Sequence, residues 1–241
     1  VTGALGSGAA SVASGATLQF GGKADAGKLS IANAGTLRLQ DTASAAGATV
    51  TNAAGGQVRI DLTTTGTSIG SLGGAGDVVL GAKTLTTGAL GTDNTISGAI
   101  TGTTGSLVKV GAGTLTLSGT ANYAGETRVT AGTLKAGATN AFSATSSAVV
   151  ATGATLDLGG FSQKMAGLTN AGTVSLLGTV PGTTLTLTGP YVGNNGVLRL
   201  GAKLDNPGIA DRLVLDGASA SASGKTTVQV INLGGLGART S

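Results

Sequence analysis

The stretch from Gly111 to Gly137, GAGTLTLSGTANYAGETRVTAGTLKAG, contains one short phrase twice. The first copy is Gly113-Thr114-Leu115-Thr116-Leu117, and the second, 19 residues later, is Gly132-Thr133-Leu134-Lys135-Ala136. In both copies apolar residues occupy alternate positions, which places them on one face of a β-strand. The flanking glycines permit the sharp turn that ends each strand. A strand and turn that recur in this way indicate a repeat architecture.

The same phrase can be followed along most of the chain. The first apolar residue of each predicted strand recurs at intervals of 18 to 23 residues, in the series Leu18, Leu37, Val58, Val78, Ile96, Leu115, Leu134, Leu156, Val174 and Val197. A period held over nine successive steps favours a repeat fold over an irregular all-β domain. We therefore predict an all-β fold, a right-handed parallel β-helix (β-solenoid) of roughly eleven coils of about 21 residues.

The composition agrees with a narrow stacked interior. Glycine supplies 45 of the 241 residues, whereas there are three Phe, two Tyr and no Trp. A solenoid needs few bulky side chains, because each coil encloses little space and buries its apolar face only against its neighbours. Charged residues make up 10% of the chain, which argues against a disordered, charge-rich polypeptide.

Alternation also predicts which side chains point inward and which stack outside. The inward set includes Leu18, Phe20, Leu29, Ile31, Leu37, Leu39, Val58, Ile60, Leu62, Leu156, Leu158, Val174, Leu176, Leu185, Leu187, Leu198 and Leu200. Threonines at equivalent positions are predicted to stack on the outer surface, at Thr17, Thr36, Thr114, Thr133 and Thr155.

The residue composition of the chain changes near Leu204. A strong turn sequence, Asp205-Asn206-Pro207-Gly208, precedes strands denser in β-branched residues than those before it. We predict β-helix repeats over residues 1–204 and a C-terminal cap, continuous with the helix, over residues 205–241. Such a cap would protect the unpaired backbone groups at the end of the stack.

Charge and hydropathy exclude several classes. The net charge is +4 and the pI about 9.6, but the basic residues are scattered and few aromatics accompany them, so we predict no nucleic-acid partner. No apolar run reaches transmembrane length, and no signal peptide is recognisable. Absence of Cys would avoid unwanted disulfides in an exported protein, or reflects chance. We interpret the chain as a piece of a longer protein.

Little in the sequence points to catalysis or metal binding. Without His or Cys the chain cannot form a Ser-His-Asp or Cys-His site or supply such ligands to zinc. The stretch from Gly73 to Asp77 resembles a calcium-binding nonapeptide, but its aspartate comes one position early and the phrase does not recur in tandem. We therefore predict no metal, no cofactor and no enzymatic activity.

Acidic residues offer two interpretations. Coil-wise spacing could stack Asp25, Asp41, Asp61, Asp77 and Asp93 along one edge, as a polysaccharide-cleaving site would require. The interpretation that we favour is solvated turn residues, which keep a solenoid soluble. The densest acidic group is Asp205, Asp211 and Asp216.

Residues 107–137 resemble the passenger-associated repeat of bacterial autotransporters (type V secretion). The matching features are Lys109 before Gly-x-Gly-Thr-Leu, a Ser-Gly, a Tyr-x-Gly and a second Gly-Thr-Leu. The repeat-motif residues are Gly113, Thr114, Leu115, Leu117, Tyr123, Gly125, Gly132, Thr133 and Leu134, and we interpret Tyr123 as structural.

Residues 210–240 resemble the pertactin-like end of autotransporter passengers. There an Asp-x-Leu-x-x-Asp-Gly strand leads to a Gly-Gly-x-Gly turn, and the corresponding candidates for a folding or capping role are Asp211, Leu213, Leu215, Asp216, Gly217, Gly234, Gly235 and Gly237. Because Asp211 and Asp216 fall within this motif, we predict that they serve folding rather than catalysis.

The resemblance implies a passenger exported through an outer-membrane β-barrel of the same precursor, with an end segment that acts as an autochaperone. It implies display on, or release from, a Gram-negative cell surface; the signal peptide and the barrel are expected outside this chain. Three functions remain open: an adhesin that binds host cell-surface or matrix protein or mediates self-association between bacteria, an inert stalk for an upstream enzyme such as a subtilisin-like protease, and a secreted effector for a host receptor.

Overall fold

The computed structural model describes residues 3, 5–204 and 208–235, which form an all-β parallel solenoid. In chain order the strands of this described part are β1 (Ser7–Val12), β2 (Thr17–Phe20), β3 (Lys28–Asn33), β4 (Thr36–Asp41), β5 (Ala45–Asn52), β6 (Gln57–Thr63), β7 (Gly66–Gly74), β8 (Asp77–Val79), β9 (Thr84–Thr87), β10 (Asn94–Ile96), β11 (Ile100–Thr101), β12 (Ser106–Lys109), β13 (Thr114–Leu117), β14 (Ala121–Asn122), β15 (Thr127–Val129), β16 (Thr133–Ala136), β17 (Ser147–Val150), β18 (Thr155–Asp157), β19 (Gln163–Met165), β20 (Gly167–Asn170), β21 (Thr173–Ser175), β22 (Thr184–Leu187), β23 (Tyr191–Lys203), β24 (Ile209–Ala210), β25 (Arg212–Leu215) and β26 (Ala222–Asn232). Within these ranges no helix is long and apolar enough to cross a membrane.

The strands form three faces that the chain visits in turn. The first face stacks β1, β3, β5, β7, β10, β13, β16, β18, β21, β23 and β26. The second face consists of two sheets. The first contains β2, β4, β6, β8, β11 and β14, and the second, farther along the chain, contains β19, β22 and β25. The third face stacks β9, β12, β15, β17 and β20 with the N-terminal parts of β7, β23 and β26. Each turn of the solenoid contributes strands to two or three of these faces.

The predicted period is confirmed on the first face. Its successive strands are offset by 21, 19, 22, 22, 21, 19, 22, 18, 24 and 30 residues. The eleven stacked strands thus enclose nine turns of about 21 residues and one longer final turn. Parallel pairing throughout places equivalent residues about 4.8 Å apart along the axis.

The predicted series of strand positions is wrong in its phase at three points, one of which is that Ile96 pairs with Leu117 rather than with Leu115. Val78 lies on the second face and pairs with Ile100, whereas Ile96 lies on the first face and pairs with Gly74. Toward the C-terminus Val174 pairs with Leu198, so that Val197 is one position off the series. Similar alternating phrases occur on different faces of one turn, and the period alone does not say which face a phrase occupies.

Most of the predicted inward side chains form one buried core, and Leu18 and Leu200 are partly buried against it. Leu62 is the exception, with 52% of its surface exposed. The register between β4 and β6 shifts after Arg38, and this bulge reverses the side-chain alternation. Thr63 is buried in place of Leu62, and its hydroxyl donates to the carbonyl of Ile60 at 2.8 Å.

The predicted stacking of threonines is confirmed on two faces. Thr17 pairs with Thr36 on the second face. On the first face Thr114, Thr133 and Thr155 pair in succession. These side chains stand beside the buried leucines and leave a row of partly exposed hydroxyl and methyl groups along the solenoid.

Buried asparagines close corners that the sequence interpretation treated only as turns. Asn33 and Asn52 end equivalent strands, and the Asn33 amide donates to Asn52 Oδ1 at 2.7 Å. Asn52 in turn donates to the carbonyl of Asp77 at 2.9 Å. A signal was present, because the phrase Asn-Ala-Gly-Thr occurs both at 33–36 and at 170–173.

The stack continues past the predicted boundary at residue 204. Ala202 and Lys203 pair antiparallel with β24, and then β25 and β26 resume the parallel stack on β22 and β23. Of the predicted turn, residues 205–207 lie outside the described residues. In the last described coil, Val228 and Val230 pair with the inward-facing Leu198 and Leu200, yet they are 55% and 63% exposed.

Prediction for the core: Leu134→Asp should open the stack, because it places an unpaired charge between Leu115 and Leu156 in a fully buried position. We expect a loss of at least about 4 kcal/mol in the free energy of unfolding, measured in guanidinium. Thr116→Asp, on the outward side of the neighbouring coil, is the control. Equal free energies of unfolding for the two variants would show that Leu134 does not face the interior.

Candidate functional site in the repeat and the C-terminal coils

Asp211 joins three segments of the C-terminal coils. Its Oδ1 accepts hydrogen bonds from the backbone N–H groups of Gly182 and Thr183 at 2.8 and 2.9 Å, and its Oδ2 accepts one from Gly201 at 2.6 Å. Only 3% of Asp211 is exposed. A carboxylate that accepts three backbone bonds in a buried place is a strong, directional link. Asp211 therefore ties the entry of β22 and the C-terminal end of β23 to the start of β25.

The residues that follow Asp211 pair along β22. Leu213 and Leu215 stand opposite Leu185 and Leu187; Leu213 packs against the core and Leu215 is partly exposed. The exposed Asp216 donates its backbone N–H to the carbonyl of Leu187 at 2.9 Å. At Gly217 a Cβ atom would overlap the carbonyl of Thr188, so only glycine fits there.

The glycine turn after β26 folds back to the end of β23. Gly234 accepts a hydrogen bond from the backbone N–H of Leu204 at 3.0 Å and donates its own to Asn232 Oδ1 at 3.1 Å. Gly234 and Gly235 have φ angles of 142° and 86°, values that favour glycine. Gly237 lies outside the described residues.

Glycines of the repeat motif lie where successive coils approach most closely. A Cβ at Gly113 would meet the carbonyl of Gly91 at 2.6 Å, and one at Gly125 would overlap the carbonyl of Gly105. Gly132 has a φ of 65°, and a Cβ there would overlap the carbonyl of Gly111. The motif's apolar residues Leu115, Leu117 and Leu134 are buried, and Thr114 pairs with Thr133.

Tyr123 is buried rather than available to a ligand. Its hydroxyl lies 2.8 Å from Thr127 Oγ1, which lies 2.8 Å from Ser146 Oγ, and Ser146 donates to the carbonyl of Gly125 at 2.6 Å. Burial raises the pKa of Tyr123 to about 12, and the hydrogen bond to Thr127 lowers it in part. The chain of hydroxyl groups links two successive coils through the core.

Lys109, the lysine of the repeat, is also buried. Its ammonium donates to three backbone carbonyls, those of Val110, Gly111 and Ala131, at 2.8, 2.8 and 3.2 Å. Burial lowers the pKa of this lysine, and the charge of Asp93 offsets part of the effect. The sequence interpretation used Lys109 only as a mark of resemblance and did not foresee a buried cation.

The first five aspartates occupy separate turns rather than a joint acidic edge. Asp41, Asp77 and Asp93 accept hydrogen bonds from backbone N–H groups of adjacent coils, namely those of Gly22, Ala99 and Thr114. Asp25 caps its own turn at Gly27 and Asp61 pairs with Arg59. Over residues 5–204 and 208–235 no three acidic side chains come together as metal ligands would. Four of these carboxylates thus hold backbone N–H groups, and Asp61 forms an ion pair within β6.

Shallow neutral grooves that could receive a partner cross the outer surface of the described part, one of them between Thr65 and Thr86. Another groove has a volume of about 520 Å³ and crosses several turns beside the second face. Its lining carries no charged side chain and consists of Val79, Gly81, Thr101, Gly102, Thr103, Asn122, Ala124 and Thr145. Exposed apolar side chains lie outside this groove, for example Leu90, Phe161 and Val180 in loops and Ile209 in β24.

Comparison with known families agrees with both sequence resemblances. Residues 107–136 match the family described as Passenger-associated-transport-repeat, and residues 165–241 match the family described as Autochaperone Domain Type 1. These are passenger segments, and no enzyme family matches. No solved structure is similar to the chain.

Two curated proteins are related to parts of the chain. Uncharacterized protein YuaQ of Escherichia coli (strain K12) is 39% identical over 142 residues, which is 58% of this chain and 10% of that protein. The Adhesin BmaC autotransporter of Brucella suis biovar 1 (strain 1330) is 35% identical over 166 residues, 58% of this chain and 5% of that protein. The chain thus spans a tenth or less of the length of these relatives.

Fold and comparisons together define a parallel β-solenoid of the kind that type V secretion exports. The chain is an autotransporter passenger region that carries a passenger-associated-transport-repeat and an autochaperone domain. As a passenger it is surface-exposed or secreted.

Prediction for the buried tyrosine: the stability that Tyr123 provides should be lost as the pH rises from 10 to 12. The unfolded tyrosine ionises near pH 10, whereas the folded one keeps its proton to about 12, so rising pH favours unfolding in this window. We expect a loss of about 2 to 3 kcal/mol in wild type relative to Tyr123→Phe.

Guanidinium unfolding at a series of pH values measures this difference. Tyr191→Phe is the control, since it keeps Tyr123 and should follow wild type. Parallel pH profiles for wild type and Tyr123→Phe would contradict the assignment of the shift to Tyr123.

Proposed function

We propose that this chain is the C-terminal part of a Gram-negative passenger that acts as an adhesin or interaction scaffold, on the extracellular face of the outer membrane or after release. The observation that carries the proposal is the 35% identity to the adhesin BmaC over 166 residues. A rigid stack with neutral grooves and rows of threonine suits hydrogen-bonded contacts with a host cell-surface or matrix protein, or with another bacterium. The chain itself has no catalytic role in this proposal.

Two other functions use the same fold. The solenoid would be an inert stalk if an upstream domain, such as a protease, performs the activity. It would be an effector if a few coil loops bind one host receptor. The adhesin is favoured because one relative is an adhesin, whereas no feature of the described residues points to an enzyme or to one receptor.

Prediction for adhesion: beads coated with the purified chain should clump with one another or attach to host cells or matrix. The Thr116→Asp variant, which keeps the stack, should behave like wild type, and Leu134→Asp, which opens it, should not. Attachment that survives opening of the stack would indicate non-specific stickiness. Complete inactivity of the folded chain favours the stalk, and saturable binding to one receptor at low concentration favours the effector.

The coils beyond residue 204 are proposed to nucleate folding during export and then to remain as the cap of the stack. Support comes from Asp211, whose three backbone bonds hold residues 182, 183 and 201 to the start of β25. These bonds connect segments up to 29 residues apart and organise the last turns as one unit. The proposed partner in the precursor is the C-terminal translocator barrel.

Prediction for the nucleus: Asp211→Ala should lower the free energy of unfolding by about 3–6 kcal/mol, because it leaves three buried N–H groups without an acceptor. If these coils fold first, most of that loss appears as slower refolding rather than faster unfolding. Stopped-flow dilution out of and into guanidinium measures the refolding and unfolding rates. Asp216→Ala, which changes an exposed side chain, is the control. Unchanged refolding with fast unfolding would show that the Asp211 contacts form late.

A further inference from the structure

Lys109 lies at the corner where the third face turns into the first. The side chain points inward from β12, and only 1% of it is exposed. Its three carbonyl partners come from two coils, since Val110 and Gly111 follow it directly and Ala131 lies one turn later. The ammonium therefore closes one complete turn within the matched repeat at 107–136.

The backbone at this corner is shaped to receive the amine. Gly88, Gly111 and Gly132 have φ angles of 104°, 71° and 65° and lie near this corner in three successive coils. A Cβ at Gly88 would lie 3.2 Å from Lys109 Cδ, so the aliphatic stem of the lysine packs against this glycine. Along the third face, the pairing partners of Lys109 are Thr87 and Val129, neither of which carries a charge. The carbonyls that surround the ammonium therefore join the coil of Lys109 to the next one.

The apolar pattern does not fix the register here. Leu115 and Leu117 alternate with Thr114 and Thr116, so a slip of β16 by two residues would still place apolar groups inside and polar groups outside. The observed register places Thr114 beside Thr133 and Leu115 beside Leu134. Another interaction must distinguish this pairing from the slipped one.

A buried ammonium makes that distinction. Removing the charge from water costs several kcal/mol, and the cost is offset only where all its donors meet acceptors. A slip of two residues would carry the carbonyl of Ala131 about 6.6 Å along the strand and break its bond with Lys109. Buried polar groups fix register in coiled coils by the same penalty.

We infer that Lys109 is a positioning residue that specifies the register between β13 and β16, and through it the alignment of the repeat with the following coils. Stability is not its main contribution, because a buried charge replaced by an apolar side chain of similar size can leave stability unchanged. The expected effect of removing the ammonium is a mixture of registers.

Engineered disulfides can report the register, since the chain has no cysteine of its own. The pair Thr114→Cys with Thr133→Cys joins positions that are opposite in the observed register. The pair Thr116→Cys with Thr133→Cys is offset by two residues, about 8 Å apart, and closes only after a slip. With Lys109 present, the matched pair should form a disulfide under mild oxidation and the offset pair should not.

In the Lys109→Met background, the offset pair should cross-link at least tenfold more than with Lys109, as measured by mass spectrometry of peptides. Val129→Met is the matched control, because it changes a buried side chain on the adjacent strand without removing a charge. An unchanged ratio of matched to offset cross-links in folded Lys109→Met would overturn the inference.

A second variant decides the question if Lys109→Met fails to fold. Lys109→Ala leaves the carbonyls free for a small ammonium ion, so added ethylammonium should restore folding and suppress the offset cross-link. Tetramethylammonium, which has no N–H donor, should not. If ethylammonium produces no such recovery, or if both ions act alike, the proposed role of the ammonium is wrong.

Discussion

Parallel pairing of each coil with the next, at a spacing of about 4.8 Å, is the constraint on which this structure depends. Every side chain then stands beside the equivalent side chain of the neighbouring coils, so that leucine meets leucine inside and threonine meets threonine outside. The same spacing leaves no space for a Cβ at corners such as Gly132. The abundance of glycine and the scarcity of aromatic residues follow from this geometry.

Buried polar groups determine how neighbouring coils are aligned. Asn33, Asn52, Lys109 and Asp211 each form hydrogen bonds with groups of another coil, and the hydroxyl of Tyr123 reaches the next coil through Thr127 and Ser146. The buried apolar side chains are similar in every coil, so they do not distinguish the correct neighbouring coil from another one. Directional hydrogen bonds of this kind select one arrangement among coils that look alike.

The sequence predicted the architecture well because alternation and period are local properties. The inward positions of Leu115, Leu134 and Leu156 followed from their neighbours alone, as did the turns at the flanking glycines. The face occupied by Val78 or Ile96 did not follow, since phrases on different faces are alike. The exposure of Leu62 depends on a bulge in the pairing with another strand.

Contacts between corners that are far apart in the chain could not be predicted from the sequence either. Asp211 was selected by its motif, but its bonds to Gly182 and Gly201 required the positions of three coils to be known. Lys109 was visible as part of a phrase, and nothing local indicated that its charge is buried. A surface assembled from several coils likewise depends on the positions of distant residues, so the repeat is easier to predict than a partner.

Distance measurement between spin labels on the first face tests the stacked architecture most directly. Thr49 and Thr155 lie on strands five steps apart and Thr49 and Thr227 on strands eight steps apart, so that labels there should be separated by about 24 and 38 Å along the axis. Pulsed electron paramagnetic resonance should give single, narrow distributions near these values. Broad distributions, or distances that do not grow with the number of steps, would contradict the parallel stack.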